Sequence, residues 1–591
     1  MSANPNKLSQ FWKELKRRRV IHVLTVYASA AFVIIELINN LAEPLNLPSN
    51  LLTIVVIILA VGFPLAIILS WLYDLTSEGV EKTKPIEEVK AGDKTGVPNA
   101  WKIATYASFV VIIGLVTFNI VGGTKQLRAG DIQSLLILPF DNLTGDDELE
   151  FVAAGMQSSL IGDMSQISSL RVISKTSARA YQNVDMSLPQ IATELNADAV
   201  VESTVMCYGD SVCIQIRVIT PFPEEKQIWM AEYKEEKSQI MNLYNRVSKQ
   251  IADEVKVQLT PEEERLLTKS RTINTDANDF YMRGLYYWDQ FTPEAFQLAL
   301  EYFNKAIETD PEWAEPYAGV AYVWVAIHQF SGAPASVTIP NMYENLNKAI
   351  ELDPNSSFVH YVSGMVSGWT TWNWEKAEEE FLIVLEMTPN DAFGHMYYAH
   401  LLACLKRGDE ALSHCRIALD LDPLNPMIQA LSTMILANAG AYEEAISIGE
   451  KVLAVLPGHP AVLANLSAIY QFTEEYRKSL ELWTSLYYLN DDTRNSILRT
   501  FDEQGQIAAL KEFITELQLA TGDDLPMDLG QLYALAGDDS MALYWYEKGI
   551  EAHHPMTPYI NTVFGSAGPF KIDDPGFDSL IVKLNLPLPK K

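Results

Sequence analysis

The prolines at positions 389, 423 and 457 stand 34 residues apart, and that interval constrains the chain more than any other feature. Each closes the same pattern of small and aromatic side chains. It reads Ala377, Phe381, Val384, Pro389, then Ala411, Cys415, Ala418, Pro423, then Ala445, Gly449, Val452, Pro457, with an earlier copy at Ala299, Phe303, Ala306 and Pro311. Steps of four and three put these side chains on one stripe of a helix, where small groups let a second helix approach. Proline lacks an N–H and ends the helix. One helix-turn-helix per 34 residues predicts a stacked α-solenoid, here over 276–556. Degenerate copies at 313–354 (with an inserted loop at 332–340), 461–490 and 527–555 bring the count to about seven repeats.

The period and the motif resemble the tetratricopeptide repeat. In such arrays the first helix of each repeat lines a concave face where extended peptides or helices dock. Tyr322, Met365 and His400 fall at equivalent positions of first helices and are the candidate partner-binding residues. Packing within the superhelix accounts for them equally well, and both readings stay open. Cys404 and Cys415 lie on the two helices of one repeat and read as buried, unpaired thiols.

Long uncharged apolar runs crowd into the first 122 residues. Three of them, at about 20–41, 51–72 and 104–122, reach the roughly 20 residues that a bilayer crossing requires. The second carries a Gly62-Phe63-Pro64 break that should kink it. A cleavable signal peptide fits poorly, because a second run of equal length follows at once. Lysines and arginines collect in 1–19 and between the second and third runs, while 42–50 has none. The positive-inside rule then predicts a multi-pass protein of a bacterial inner membrane, with its N-terminus cytoplasmic and everything after 122 periplasmic. Trp71 and Tyr73 sit where an interfacial aromatic belt would lie. Glu36 is the one acid within a span and is read as a structural intramembrane carboxylate close to the outer surface.

Residues 131–258 alternate strand and helix patterns, which predicts a small α/β domain. The run 134–140 reads as a buried strand, 155–164 as a helix, 170–174 as a short strand and 188–195 as a helix. The runs 199–206 and 212–219 form a hairpin, and 244–257 closes the unit as a helix. The segments LLILPFDNLTGDDELEFVAAGMQSSLIGDMSQISSLRVISKTSARAY, IATELNADAVVESTV and GDSVCIQIRVI resemble the TolB-like (FlgO-related) N-terminal domain. That domain occurs in bacterial tetratricopeptide membrane proteins often labelled adenylate-cyclase-like. The resemblance implies a protein-interaction or assembly role, and it brings no catalytic residues with it. Three apolar runs occupy the place where a cyclase domain would stand. With the hairpin loop at 209–211, Cys207 and Cys213 fall opposite each other; a disulfide and two separate small side chains are both consistent with that register.

The formal charge is -31, from 75 acids and 44 bases, a balance that repels phosphate backbones and argues against nucleic-acid binding. No P-loop, G-x-G-x-x-G, H-E-x-x-H or G-x-S-x-G occurs, and no CxxC pair suggests zinc. His395 and His400, five apart, diverge around a helix; His553-His554 falls in a loop; Asp146-Asp147 and Asp573-Asp574 read as solvated turns. The expected molecule is multi-domain: three transmembrane helices in 20–122, a TolB-like α/β domain in 131–258, the solenoid, and a C-terminal cap in 557–591. The expected function is a membrane-anchored, non-enzymatic scaffold without cofactor or metal. Its partners would be proteins and the lipid bilayer, and self-association is left open. The alternative is an envelope sensor whose α/β domain binds a small ligand or glycan and signals through the membrane helices.

Overall fold

The computed structural model describes residues 132–588 apart from 147–149, 183, 237–238, 269–273, 332, 488 and 523. Ahead of them it describes 73–76, 79–82 and single residues between 27 and 63. The chain divides into two compact units, Met1–Lys125 and Gln126–Lys591. In the first, Tyr73–Thr76 pairs antiparallel with Gly79–Lys82, and the Tyr27 hydroxyl donates to the Leu59 carbonyl at 2.8 Å.

The first unit corrects the membrane reading. The runs at 20–41, 51–72 and 104–122, with Glu36, fall almost wholly outside the described residues. Among the described residues no helix is long and apolar enough to cross a membrane. A crossing needs its apolar residues in one continuous helix of about 30 Å; apolar composition alone does not supply one. The three-transmembrane-helix fold class is therefore withdrawn, and with it the multi-pass inner-membrane placement and the periplasmic assignment of the later domains. Tyr73, expected in an aromatic belt, begins a strand.

The second unit opens with a six-stranded sheet. Its strands are β1 (Ser134–Ile137), β2 (Asp141–Asn142), β3 (Arg171–Val172), β4 (Ala199–Tyr208), β5 (Ser211–Thr220) and β6 (Lys226–Glu236). The order is β3-β1-β4-β5-β6, with β2 beside β4. Pairing is parallel from β3 to β4 and antiparallel from β4 to β6. Helix α1 (Glu150–Met164) links β2 to β3; α2 (Lys175–Arg179) and α3 (Leu188–Glu194) link β3 to β4. Then come α4 (Ile240–Glu254) and α5 (Pro261–Thr268). Alternation along the strands sends Leu135, Ile137, Val201, Ile214, Ile216 and Val218 into a core with α1 and α4, whereas Leu136, Val200 and Ile173 meet α2 and α3. The parallel half is thus covered on both faces, as buried parallel strands require.

The solenoid follows, with eight helix pairs among the described residues. They are α6 and α7 (Thr275–Trp288, Pro293–Thr309), α8 and α9 (Ala314–Phe330, Ala335–Leu352), α10 and α11 (Ser357–Trp369, Trp374–Met387), α12 and α13 (Ala392–Cys404, Gly408–Leu421), α14 and α15 (Pro426–Asn438, Tyr442–Val455), α16 and α17 (Pro460–Phe472, Tyr476–Leu486), α18 and α19 (Asp491–Gln504, Gln506–Thr521), and α20 and α21 (Pro526–Leu535, Asp539–Glu551). The motif residues form the seam within each pair: Ala299, Phe303, Ala377, Phe381, Ala411 and Ala445 are all buried. A Cβ on Gly364 of α10 would meet the Phe381 ring of α11 at 3.2 Å, so the glycine makes room for the aromatic. The expected insert at 332–340 is mostly the start of α9, which carries Pro340 within it.

After the last pair come a 3-10 turn (Thr557–Asn561), α22 (Val563–Ser566), a second turn (Gly568–Phe570) and α23 (Gly576–Lys583). Ile560, Phe564, Phe570, Phe577, Ile581 and Leu584 share one core with the repeats.

Candidate functional site

The first helices α8, α10, α12, α14 and α16 lie side by side and form one wall of the solenoid. That wall is where a bound peptide was expected, and the chain's own C-terminal segment lies on it. The Trp369 indole N–H donates to the Tyr559 hydroxyl oxygen at 3.1 Å, and the Asn561 amide donates to the Cys404 carbonyl at 2.9 Å. The Val563 N–H donates to Asn438 Oδ1 at 3.1 Å, and the Trp374 indole donates to the Leu584 carbonyl at 2.7 Å. Phe472 packs against Phe564 and Phe570.

Of the three nominated residues, His400 and Met365 are buried and Tyr322 is partly buried, and His400 meets the C-terminal segment. His400 Nδ1 lies 3.1 Å from the Tyr559 hydroxyl and Nε2 lies 3.1 Å from the Leu431 carbonyl. A carbonyl only accepts, so Nε2 carries the proton and Nδ1 accepts from Tyr559, which in turn accepts from Trp369. Every donor in this relay is used once, and the relay requires a neutral imidazole. Burial lowers the His400 pKa to about 4. Met365 is buried. Tyr322, partly buried, packs among Trp288, Phe358 and Tyr361, with its hydroxyl 3.2 Å from that of Tyr361. Burial holds its phenol well above the ordinary value.

His395 and His414 also meet, Nδ1 to Nδ1, at 2.8 Å, and His395 Nε2 donates to the Pro389 carbonyl at 3.1 Å. Burial lowers His395 to about 4, which fits a pair of neutral rings sharing one proton. Cys404 and Cys415 are free and buried, each thiol raised to about 12 by burial. Among the described residues no group of three His, Cys, Asp or Glu is placed to hold a metal ion.

The sheet and the solenoid are joined by side chains from the turns between repeats. Asn390 accepts from the Val172 N–H at 3.0 Å, and its amide donates to the carbonyls of Ile167 at 3.0 Å and Leu170 at 2.9 Å. Asp422 accepts from the Ser177 N–H at 3.0 Å and from its hydroxyl at 2.7 Å. The Ser174 N–H donates to the Leu421 carbonyl at 2.9 Å. These contacts cover the β3 edge of the sheet. The opposite edge is β6, eleven residues long, and among the described residues no strand pairs with its outer side. Lys226, Met230, Glu232, Lys234 and Glu236 are exposed along it. In the neighbouring hairpin Cys207 and Cys213 are register partners 4.8 Å apart at Cα and are joined by a disulfide.

Sequence reasoning also missed a cleft at the carboxyl end of β1. Pro139 and Phe140, just past β1, and Ala153, Ala154 and Gln157 of α1 line it, with Arg179 and Gln182 after β3 and Tyr286 and Gln290 at the end of α6. Its volume is about 400 Å³. These residues are scattered over 150 positions of sequence and share no motif, so no local pattern could have assembled them.

No protein-family model matches the chain. Over 241 residues it is 26% identical to the putative adenylate cyclase 3 of Rhizobium meliloti, a match that covers 40% of each chain, so the chain spans two fifths of that relative's length. Among solved structures it is similar to YrrB, described as a TPR protein with an unusual peptide-binding site (23% identity, TM-score 0.25, 34% of this chain and 97% of that one). It is also similar to yeast Tom70 (13%, 0.31, 55% and 77%) and to the human IFIT1 dimer with m7Gppp-AAAA (16%, 0.33, 52% and 77%). Superpositions this loose carry no functional argument.

Proposed function

We propose that the chain is a non-enzymatic scaffold that binds a protein partner, and that the partner adds an extended segment to the free edge of β6. Residues 557–570 lie along the inner wall of the solenoid, with Tyr559, Asn561, Val563, Phe564 and Phe570 against α10, α12, α14 and α16. That stretch of wall is already occupied, which favours another surface for a partner. An open strand edge offers a row of unpaired N–H and C=O groups, and strand addition is a recurrent mode of peptide recognition. The single observation that carries the reading is that one sheet edge is sealed by Asn390 and Leu421, while along the other, eleven residues long, no strand pairs among the described residues. We read 131–258 as TolB-like on its sequence segments.

The test is site-specific photocrosslinking of the full chain in cells. A crosslinker at Met230 (46% exposed) should capture a protein, whereas one at Val455 on the solenoid surface (77% exposed) should not. Capture at Met230 should disappear when Ala231→Lys puts a charge at the centre of the edge. Equal capture at both positions, or none at Met230, would remove the reading.

A further inference from the structure

We infer that the cleft beyond β1 binds a neutral, polyhydroxylated ligand of mono- or disaccharide size. Three independent features point there. The first is topological. From β1 the chain runs through the short β2 beside β4 and then through α1 to β3 on one side, and from β3 through α2 and α3 to β4 on the other. The carboxyl end of β1 is therefore the switch point of the parallel strands, where ligands of open α/β sheets bind because neighbouring connections part and leave a crevice. Here α6 of the first repeat closes the crevice from outside, through Tyr286 and Gln290.

The second feature is size. About 400 Å³ lies at the small end of the range of roughly 300–1,000 Å³ for ligand pockets, too little for a dinucleotide and suited to one or two sugar rings.

The third is the chemistry of the lining. Gln157 forms the floor, buried and fixed by its amide N–H donating to the Ile137 carbonyl at 3.0 Å. Gln182, Gln290 and Glu150 are exposed members of the lining, and Arg179 is a partly buried one. Amides donate and accept at once, and planar amide, carboxylate and guanidinium groups each reach two neighbouring hydroxyls, the pattern that sugar diols present. The partly exposed ring of Tyr286 offers a flat apolar surface against which the C–H face of a pyranose can rest. Charge argues against a phosphate or carboxylate ligand. The Arg179 guanidinium already faces Asp289 at 4.0 Å, Asp289 is held by Lys175 at 2.5 Å, and Glu150 adds a further negative charge.

The site is independent of the β6 edge, so either assignment can fail alone. The experiment is saturation-transfer difference NMR on the full chain with glucose, N-acetylglucosamine, maltose, cellobiose and N,N′-diacetylchitobiose. Inorganic phosphate (read by 31P line broadening) and glutamate form the charged arms. At least one sugar should receive saturation, and the signal should fall threefold or more in Gln182→Ala and in Gln290→Ala. Both side chains are exposed, so their removal leaves the core intact, and an unchanged melting temperature checks this. Saturation of no sugar overturns the assignment, as does a sugar signal that both variants retain. Binding of phosphate or glutamate alone, lost in Arg179→Gln, overturns the neutral class in favour of an anion.

Discussion

The Tyr559 hydroxyl accepts from Trp369 and donates to His400, so one oxygen settles the polar accounts of two buried side chains. Tyr559→Phe leaves the indole N–H and the imidazole Nδ1 without partners in an interior where water does not replace them. The expected cost is about 1–3 kcal/mol at neutral pH, measured by denaturant unfolding of the purified chain. The sign of the pH dependence follows from the same relay. Burial sets the folded pKa of His400 at about 4, below its unfolded value of about 6.5, so the unfolded chain binds the proton first. Its contribution is complete above pH 6.5 and is lost as pH falls toward 4, and the buried His328, His395 and His554 move the same way. Repeating the unfolding series from pH 7.5 to 4 should show stability falling with acidification; a flat or rising course would contradict a neutral relay. None of this was legible in the sequence. His400 was placed on a first helix correctly, but its partner lies 159 residues away in a tail without a recognisable pattern.

Whole elements were legible where a period or a motif governed them. The small and aromatic positions of each repeat identified the seam because helix-to-helix approach depends on those residues alone, as Gly364 beside Phe381 illustrates. The pair α18 and α19 escaped notice because it ends on Gly505 and Gly522, at φ 87° and 63°, instead of on the repeat proline. Strand β6 was missed because Lys226, Glu232, Lys234, Glu235 and Glu236 mask its alternation; an edge strand facing water tolerates charges that a central strand does not. The strands β1, β3 and β4 were anticipated, but their parallel pairing and which edge of the sheet would stay free were not. That depends on Asn390, whose turn in the solenoid seals β3. Asn390→Ala strands the Val172 N–H and the carbonyls of Ile167 and Leu170 at a buried junction. The expected result is a loss of roughly 2–4 kcal/mol with faster amide hydrogen exchange across 165–174, read by mass spectrometry. Unchanged exchange in that segment would mean that the junction is held elsewhere.

For the molecule as a whole, the segment 557–586 turns an open coil of helices into a filled one. Ending the chain at Met556 would bare the apolar wall from Trp369 to Phe472 and remove Phe564, Phe570 and Ile581 from the core. The truncated chain should bind a hydrophobic dye and lose its cooperative thermal transition, as circular dichroism would record. A sharp transition at the full-length temperature would show that the tail is an optional lining. The filled interior also explains why period and length alone suggested a peptide groove: they fix how repeats stack and are silent on what occupies the space they enclose. The two rims of the β-sheet carry a last consequence. Because the solenoid caps one rim, two copies of this chain could meet through their sheets only β6 to β6, and such a contact uses up the one open rim of each. Self-pairing of that kind closes at two copies, whereas a sheet open on both sides could propagate into a fibre.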